Sequence, residues 1–147
     1  MAVTYDKISF PKIENGLKKI IDDEFQNVYV SPRFKMIGNE CIRVDLQSSS
    51  DLQKTTTFEE REYAVMLRYY FKGDLTNPRV NEAIKDKSDR LRRHLLNNQV
   101  VETASASWVD LVVQNIEFNI EDSENEDDES LYIIEYDLLL INFNSFG

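Results

Sequence analysis

The sequence predicts an α+β protein: an antiparallel or mixed β-sheet with a long C-terminal β-hairpin, packed by two α-helices. Three observations predict it. Residues 61–72 alternate strictly, with Tyr63, Val65, Leu67, Tyr69 and Phe71 on one face and Ala64, Met66, Arg68 and Tyr70 on the other. Two apolar-rich runs, Trp108–Ile120 and Ser130–Phe143, bracket an acidic stretch with nothing to bury, as strands flanking a solvated hairpin tip do. Two other segments repeat their hydrophobes every three or four residues, the period of a helix docked by one face.

The first helix is expected over about Pro11–Gln26. Ile13, Leu17, Ile20, Ile21 and Phe25 make its stripe, and lysines and acids fill the far side. Gly16 costs this helix up to ~1 kcal/mol, which hints at a close neighbour in the fold. A short strand, Val28–Val30, is stopped at Ser31-Pro32, because proline cannot donate to a ladder. Residues 33–39 read as a link ending in a Gly38-Asn39 turn. Glu40–Leu46 is a half-buried strand with Ile42, Val44 and Leu46 on one face, and the polar Gln47–Thr57 reads as a flexible loop.

The strand at 61–72 has apolar residues on both faces, so it is expected at the centre of the sheet. Asn77 is placed to cap a second helix with Pro78 at its first position, running to about Asn98. Val80, Ile84, Leu91, Leu95 and Leu96 form its stripe. Its last turns hold Arg90, Arg92, Arg93 and His94, where positive charge suits the helix dipole. Gln99–Ser107 is a link of small residues. In the last strand Tyr132, Ile134, Tyr136, Leu138 and Leu140 share a face that two helices can cover. The other face, with Leu131, Ile133, Leu139 and Ile141 around Glu135 and Asp137, exceeds what two helices can cover, which argues for self-association.

Composition narrows the function classes. At 147 residues, 41% of them hydrophobic and 11% aromatic, the chain can bury a core without disulfides or metals. The net charge is −10, but seven of the negatives are Glu121, Asp122, Glu124, Glu126, Asp127, Asp128 and Glu129. Such a chain is a poor gripper of phosphate backbones. Cys41 and His94 are each the only residue of their kind, so no disulfide, zinc pair or Cys/His dyad is expected. The acids at 122, 124, 126 and 128 alternate but lack the glycine and spacing of a calcium loop. Glu59 and Glu60, beside Arg61, read as a solvated strand entrance rather than an acid/base pair. No glycine-rich phosphate loop or nucleophile elbow is present, so no catalytic residue, metal site or cofactor is expected. No apolar run approaches the ~20 residues needed to cross a bilayer. The N-terminus shows no basic region followed by an apolar run, so the chain is expected to stay in a cytoplasm.

The order of elements resembles the tail terminator, or tail completion, proteins of long-tailed bacteriophages. The likeness is carried by the Ile13/Leu17/Ile20/Ile21 stripe, the Arg61–Phe71 strand, the Asn77–Asn98 helix and Leu131–Phe143, and would make residues 1–147 a single tail-terminator-like domain. It implies a virion structural protein that forms a ring, typically a hexamer, caps the tail tube and joins it to the head or neck. The implied partners are further copies of itself, the tail tube protein and a neck or head-completion protein. DNA would pass through the lumen without specific binding, and no membrane would be involved. The ring would assemble in the host cytoplasm and end in the virion's tail or neck. Leu131, Ile133, Leu139 and Ile141 are then candidates for the subunit interface, with Arg90, Arg92 and Arg93 as salt-bridge donors across it. The acidic tip would face the lumen or a partner. Three alternatives stay open: another head–tail connector or neck protein, a small acidic adaptor or inhibitor that binds a basic protein, and an enzyme of unrecognised type.

Overall fold

The computed structural model describes residues 10–30, 40–73, 77–103, 107–121 and 130–145. Helix α1 spans Phe10–Asp22 and buries Ile13, Gly16, Leu17 and Ile21. It stops earlier than its apolar spacing suggests. The amides of Glu24 and Phe25 both turn back to the Ile21 oxygen, at 3.1 and 2.8 Å. Asn27 then takes a positive φ of 58°, which asparagine tolerates better than most side chains. Its oxygen accepts from Ile42 N at 2.9 Å, and its amide donates to Glu40 O at 3.3 Å. The chain is thereby steered into strand β1 (Val28–Val30), which pairs parallel to strand β2 (Glu40–Lys54). The Gly38-Asn39 turn expected between them lies outside the described residues.

Strand β2 is twice the expected length. The segment read as a loop from Gln47 continues the ladder against strand β3 (Phe58–Gly73) down to Lys54 paired with Glu59. Bulges shift the register between Leu46 and Ser48 and between Asp51 and Gln53. The turn needs no glycine. Thr55 Oγ1 accepts from the amides of Thr57 and Phe58 at 3.2 and 3.1 Å, a side-chain turn built from threonines.

Asn77 caps helix α2 (Pro78–Asn97) as its position suggests, its side chain accepting from Arg79 N at 3.0 Å. A two-stranded ribbon follows, β4 (Val101–Glu102) against β5 (Ser107–Trp108), and closes over the end of α2. The indole of Trp108 donates to Asn98 O at 2.8 Å. Strands β6 (Asp110–Glu121) and β7 (Ser130–Ser145) form the long antiparallel pair, and the five-stranded sheet has the order β1-β2-β3-β7-β6. The fold is α+β with a mixed sheet.

Both helices lie on one face. Their buried residues join Ile42, Val44, Val65, Leu67, Ile134, Tyr136, Leu138 and Leu140 in one cluster. Polar contacts fix them there: Tyr136 donates its hydroxyl to Ser88 O at 2.8 Å, and His94 Nε2 meets Ile20 O at 2.8 Å. His94, expected to be an ordinary helix residue, ties α2 to the last turn of α1.

Candidate functional site

Register decides what the second sheet face presents. Along β3 and β7 the paired positions Lys72–Leu131, Tyr70–Ile133, Arg68–Glu135, Met66–Asp137, Ala64–Leu139, Glu62–Ile141 and Glu60–Phe143 point away from the helices. β2 adds Cys41, Arg43, Asp45 and Ser48 beside Tyr70, Arg68, Met66 and Ala64; of these, Cys41 and Tyr70 are buried within the subunit, at 0% and 8% exposure. β6 adds Asn119, Glu117, Asn115 and Val112 beside Ile133, Glu135, Asp137 and Leu139. A bulge between Val113 and Asn115 moves Ile116, Phe118 and Ile120 to the helix side. Among the described residues, no helix packs on the face opposite the core cluster.

This open face holds all four expected interface hydrophobes. Leu131, Ile133, Leu139 and Ile141 are each half-buried by their strand neighbours, and Val112 and Phe143 are about two-fifths exposed, at 40% and 44%. A charged band crosses it between two apolar bands. On the β2–β3 side the band is Arg43, Arg68 and Asp45. On the β7–β6 side it is Glu135, Glu117 and Asp137. Within the subunit Arg68 is loosely held, reaching Asp45 at 3.7 Å and Glu135 at 3.9 Å. Asp137 and Glu117 have no cation partner among the described residues, and Glu117 accepts only from Asn115 at 3.2 Å.

The expected arginines lie elsewhere. Arg90, Arg92 and Arg93 are on α2, on the opposite layer from Leu131 and its neighbours, so one subunit does not bring the two groups together. Arg90 pairs with Glu24 at 2.8 Å and stands over the Phe25 ring, 5.2 Å from its centroid. Arg92 and Arg93 share Asp89 at 2.9 and 2.7 Å. These pairs are exposed and of small energetic weight, which leaves the arginines available to a neighbour. Of the acidic tip, Asp122–Glu129 lie outside the described residues, and Glu121 ends β6.

Among the described residues, Cys41, His94 and Glu40 each make contacts within the fold. Burial pushes the Cys41 thiol up to about 11, the reverse of what a nucleophilic thiolate needs. The His94 ring is spent on Ile20. A cleft of about 410 Å³ between α2 and the start of β2 is lined by Glu40, Lys72 and Lys87, among others. The Glu40 carboxylate there already accepts from Lys87 at 3.2 Å and from the Tyr69 hydroxyl at 3.0 Å. Among the described residues no three His, Cys, Asp or Glu side chains gather as metal ligands. None of the described helices is long and apolar enough to cross a membrane.

Sequence reasoning found the hydrophobes of this face but missed its charge order. Arg43, Arg68, Glu117 and Glu135 come from four strands, and only their pairing aligns them into one row. No protein-family model matches the chain, and no curated protein matches it.

Proposed function

We propose that the protein is a structural component of a long-tailed phage, forming a ring that caps the tail tube and joins it to the head or neck. The observation that carries this reading is a broad, partly apolar, charge-banded sheet face with no helix over it among the described residues. A subunit that works alone gains nothing from such a surface, whereas an assembling one uses it. The order of elements, which resembles that of tail terminators, supplies the specific role.

A ring is built from heterologous contacts, in which two different surfaces of the subunit meet. The open face of one copy, with Leu131, Ile133, Leu139 and Ile141, would dock on the helical layer of the next. There Arg90, Arg92 and Arg93 would meet its carboxylates. That the two surfaces lie on opposite sides of the subunit suits a closed ring and not a local patch. The excess negative charge of the chain suits a lumen that lets DNA pass without adhesion. The partners would be the tail tube protein and a neck or head-completion protein, and the finished ring would reside in the virion.

The test is assembly. Electron micrographs of the concentrated protein, alone and with purified tail tubes, should show annular particles and rings seated at one tube end. A phage lacking the protein should make tails of unregulated length. Tubes that stay uncapped, with normal tail lengths in the deletion, would remove this reading.

A further inference from the structure

We infer that in the free protein the open sheet face is covered by a second copy of the same chain. The two copies would be related by a two-fold axis running along the strands between β3 and β7. The pattern of the face selects this occupant. Such an axis sets β2 of one copy over β6 of the other, and β3 over β7, level by level. Arg43 then stands over Glu117 of the second copy and Arg68 over its Glu135, each pair occurring twice. Arg68 also comes within one row of Asp137 of the second copy, which has no cation partner among the described residues of its own subunit. Ala64 falls over Leu139; the same map sets Met66 over Asp137 and Glu62 over Ile141, and Tyr70, which falls over Ile133, is already buried within the subunit at 8% exposure.

The alternative two-fold, across the strands through Met66, fails on the same map. It lays Glu135 over Leu139 and Arg68 over Ala64, so that neither arginine of the band meets an acid. The area is sufficient. Four strands about 4.8 Å apart, over the thirteen residues of Leu131–Phe143 at about 3.3 Å each, cover roughly 800 Å². A stable interface needs about 800 Å² per partner, and facing sheets pack with their strands within about 30° of each other. The dimer stands whether or not the ring reading does. Because both would use one face, a copy must leave the dimer to join a ring.

Arg43 and Glu117 make the test. Within a subunit two strands separate them, about 14 Å, so a coupling between them must run between copies. Light scattering and sedimentation should give the wild-type mass as two copies. Arg43→Glu should weaken that dimer on the order of a hundredfold, since it sets like charges opposite each other twice, and Glu117→Arg should do the same. An equimolar mixture of the two variants should recover the dimer, because both of its contacts are again opposite in sign. A monomeric wild type, dimeric single variants, or a mixture that stays monomeric would each overturn the inference. Where circular dichroism shows that a charge swap costs the fold, Val112→Arg replaces it. Val112 is 40% exposed in the subunit, so that variant should fold and be monomeric; if it remains dimeric, the face is wrong.

Discussion

The hydroxyl of Tyr136 on β7 donates to the backbone oxygen of Ser88 on α2 at 2.8 Å, joining residues 48 apart in sequence. Tyr136 is fully buried, so this bond is made where water cannot substitute for it. It fixes the longitudinal position of α2 on the sheet, which packing of aliphatic side chains alone leaves free to slide. Tyr136→Phe keeps the ring and removes the donor. The expected loss is roughly 1 kcal/mol, the net value of one such bond, read as a shift in denaturation midpoint with unchanged slope. No loss would mean that the bond does not hold the helix.

Alkaline pH should destabilise the fold through the same kind of group. Burial raises the Cys41 thiol from 9.0 to about 11, and burial also raises the phenols of Tyr136, Tyr69 and Tyr70 above 10.0. For Tyr69 the neighbouring Glu40 adds to the rise. Each group keeps its proton in the folded chain after the unfolded chain has lost it. Stability is therefore fully present below pH 9.0, and falls as pH rises through the folded values. Each group adds a slope of about 1.4 kcal/mol per pH unit within its window. Cys41→Ala should flatten the first part of the decline and Tyr136→Phe the later part. Stability that stays constant above pH 10.0 would contradict the burial of these groups.

Asn142 on β7 offers a gain instead of a loss. It is 2% exposed, and its Nδ2 meets no acceptor. An unsatisfied buried amide costs more than an apolar group of similar size. Asn142→Leu is thus expected to raise the unfolding free energy by about 1 kcal/mol, measured in urea. A lower midpoint would show that the amide makes a bond to water that the fold depends on.

What could be read from the sequence follows from what was patterned. Both helices, the Asn77 cap, β3 and the β6–β7 pair are written in periodicity and capping chemistry, which are local. The outer half of β2 was missed because none of the described helices covers it. Ser48, Ser49 and Ser50 are polar on both faces, and a strand without a buried face has no period to detect. Its turn was missed because two threonines, Thr55 and Thr57, do the work usually given to glycine. The parallel pairing of β1 is a tertiary choice made at Asn27. In β6 the hydrophobes change parity between Val113 and Ile116, a visible mark of the bulge. The hydrophobic part of the open face was legible as a strand apolar on both sides. Its charge order was not, because the register of four strands must be known before Arg43, Arg68, Glu135 and Glu117 form a line.

Two adjacent residues of β7 separate assembly from folding. Ile133 faces the open side beside Tyr70 and Asn119, and Ile134 faces the helices at 0% exposure. Ile134→Asp buries a carboxylate in the main core without a partner and should unfold the subunit. Ile133→Asp sets the same carboxylate on a surface that the subunit leaves partly open to water. It should cost roughly 1–2 kcal/mol, from lost contact with Tyr70 and the lower strand preference of aspartate. The variant should therefore keep a cooperative melt and the wild-type circular dichroism, while any dimer or ring is lost. If Ile133→Asp unfolds the chain as Ile134→Asp does, the open face belongs to the core of the single subunit. If it folds and still assembles, the subunits meet through another surface, and the edges of β6 and of outer β2, unpaired among the described residues, become the next to test.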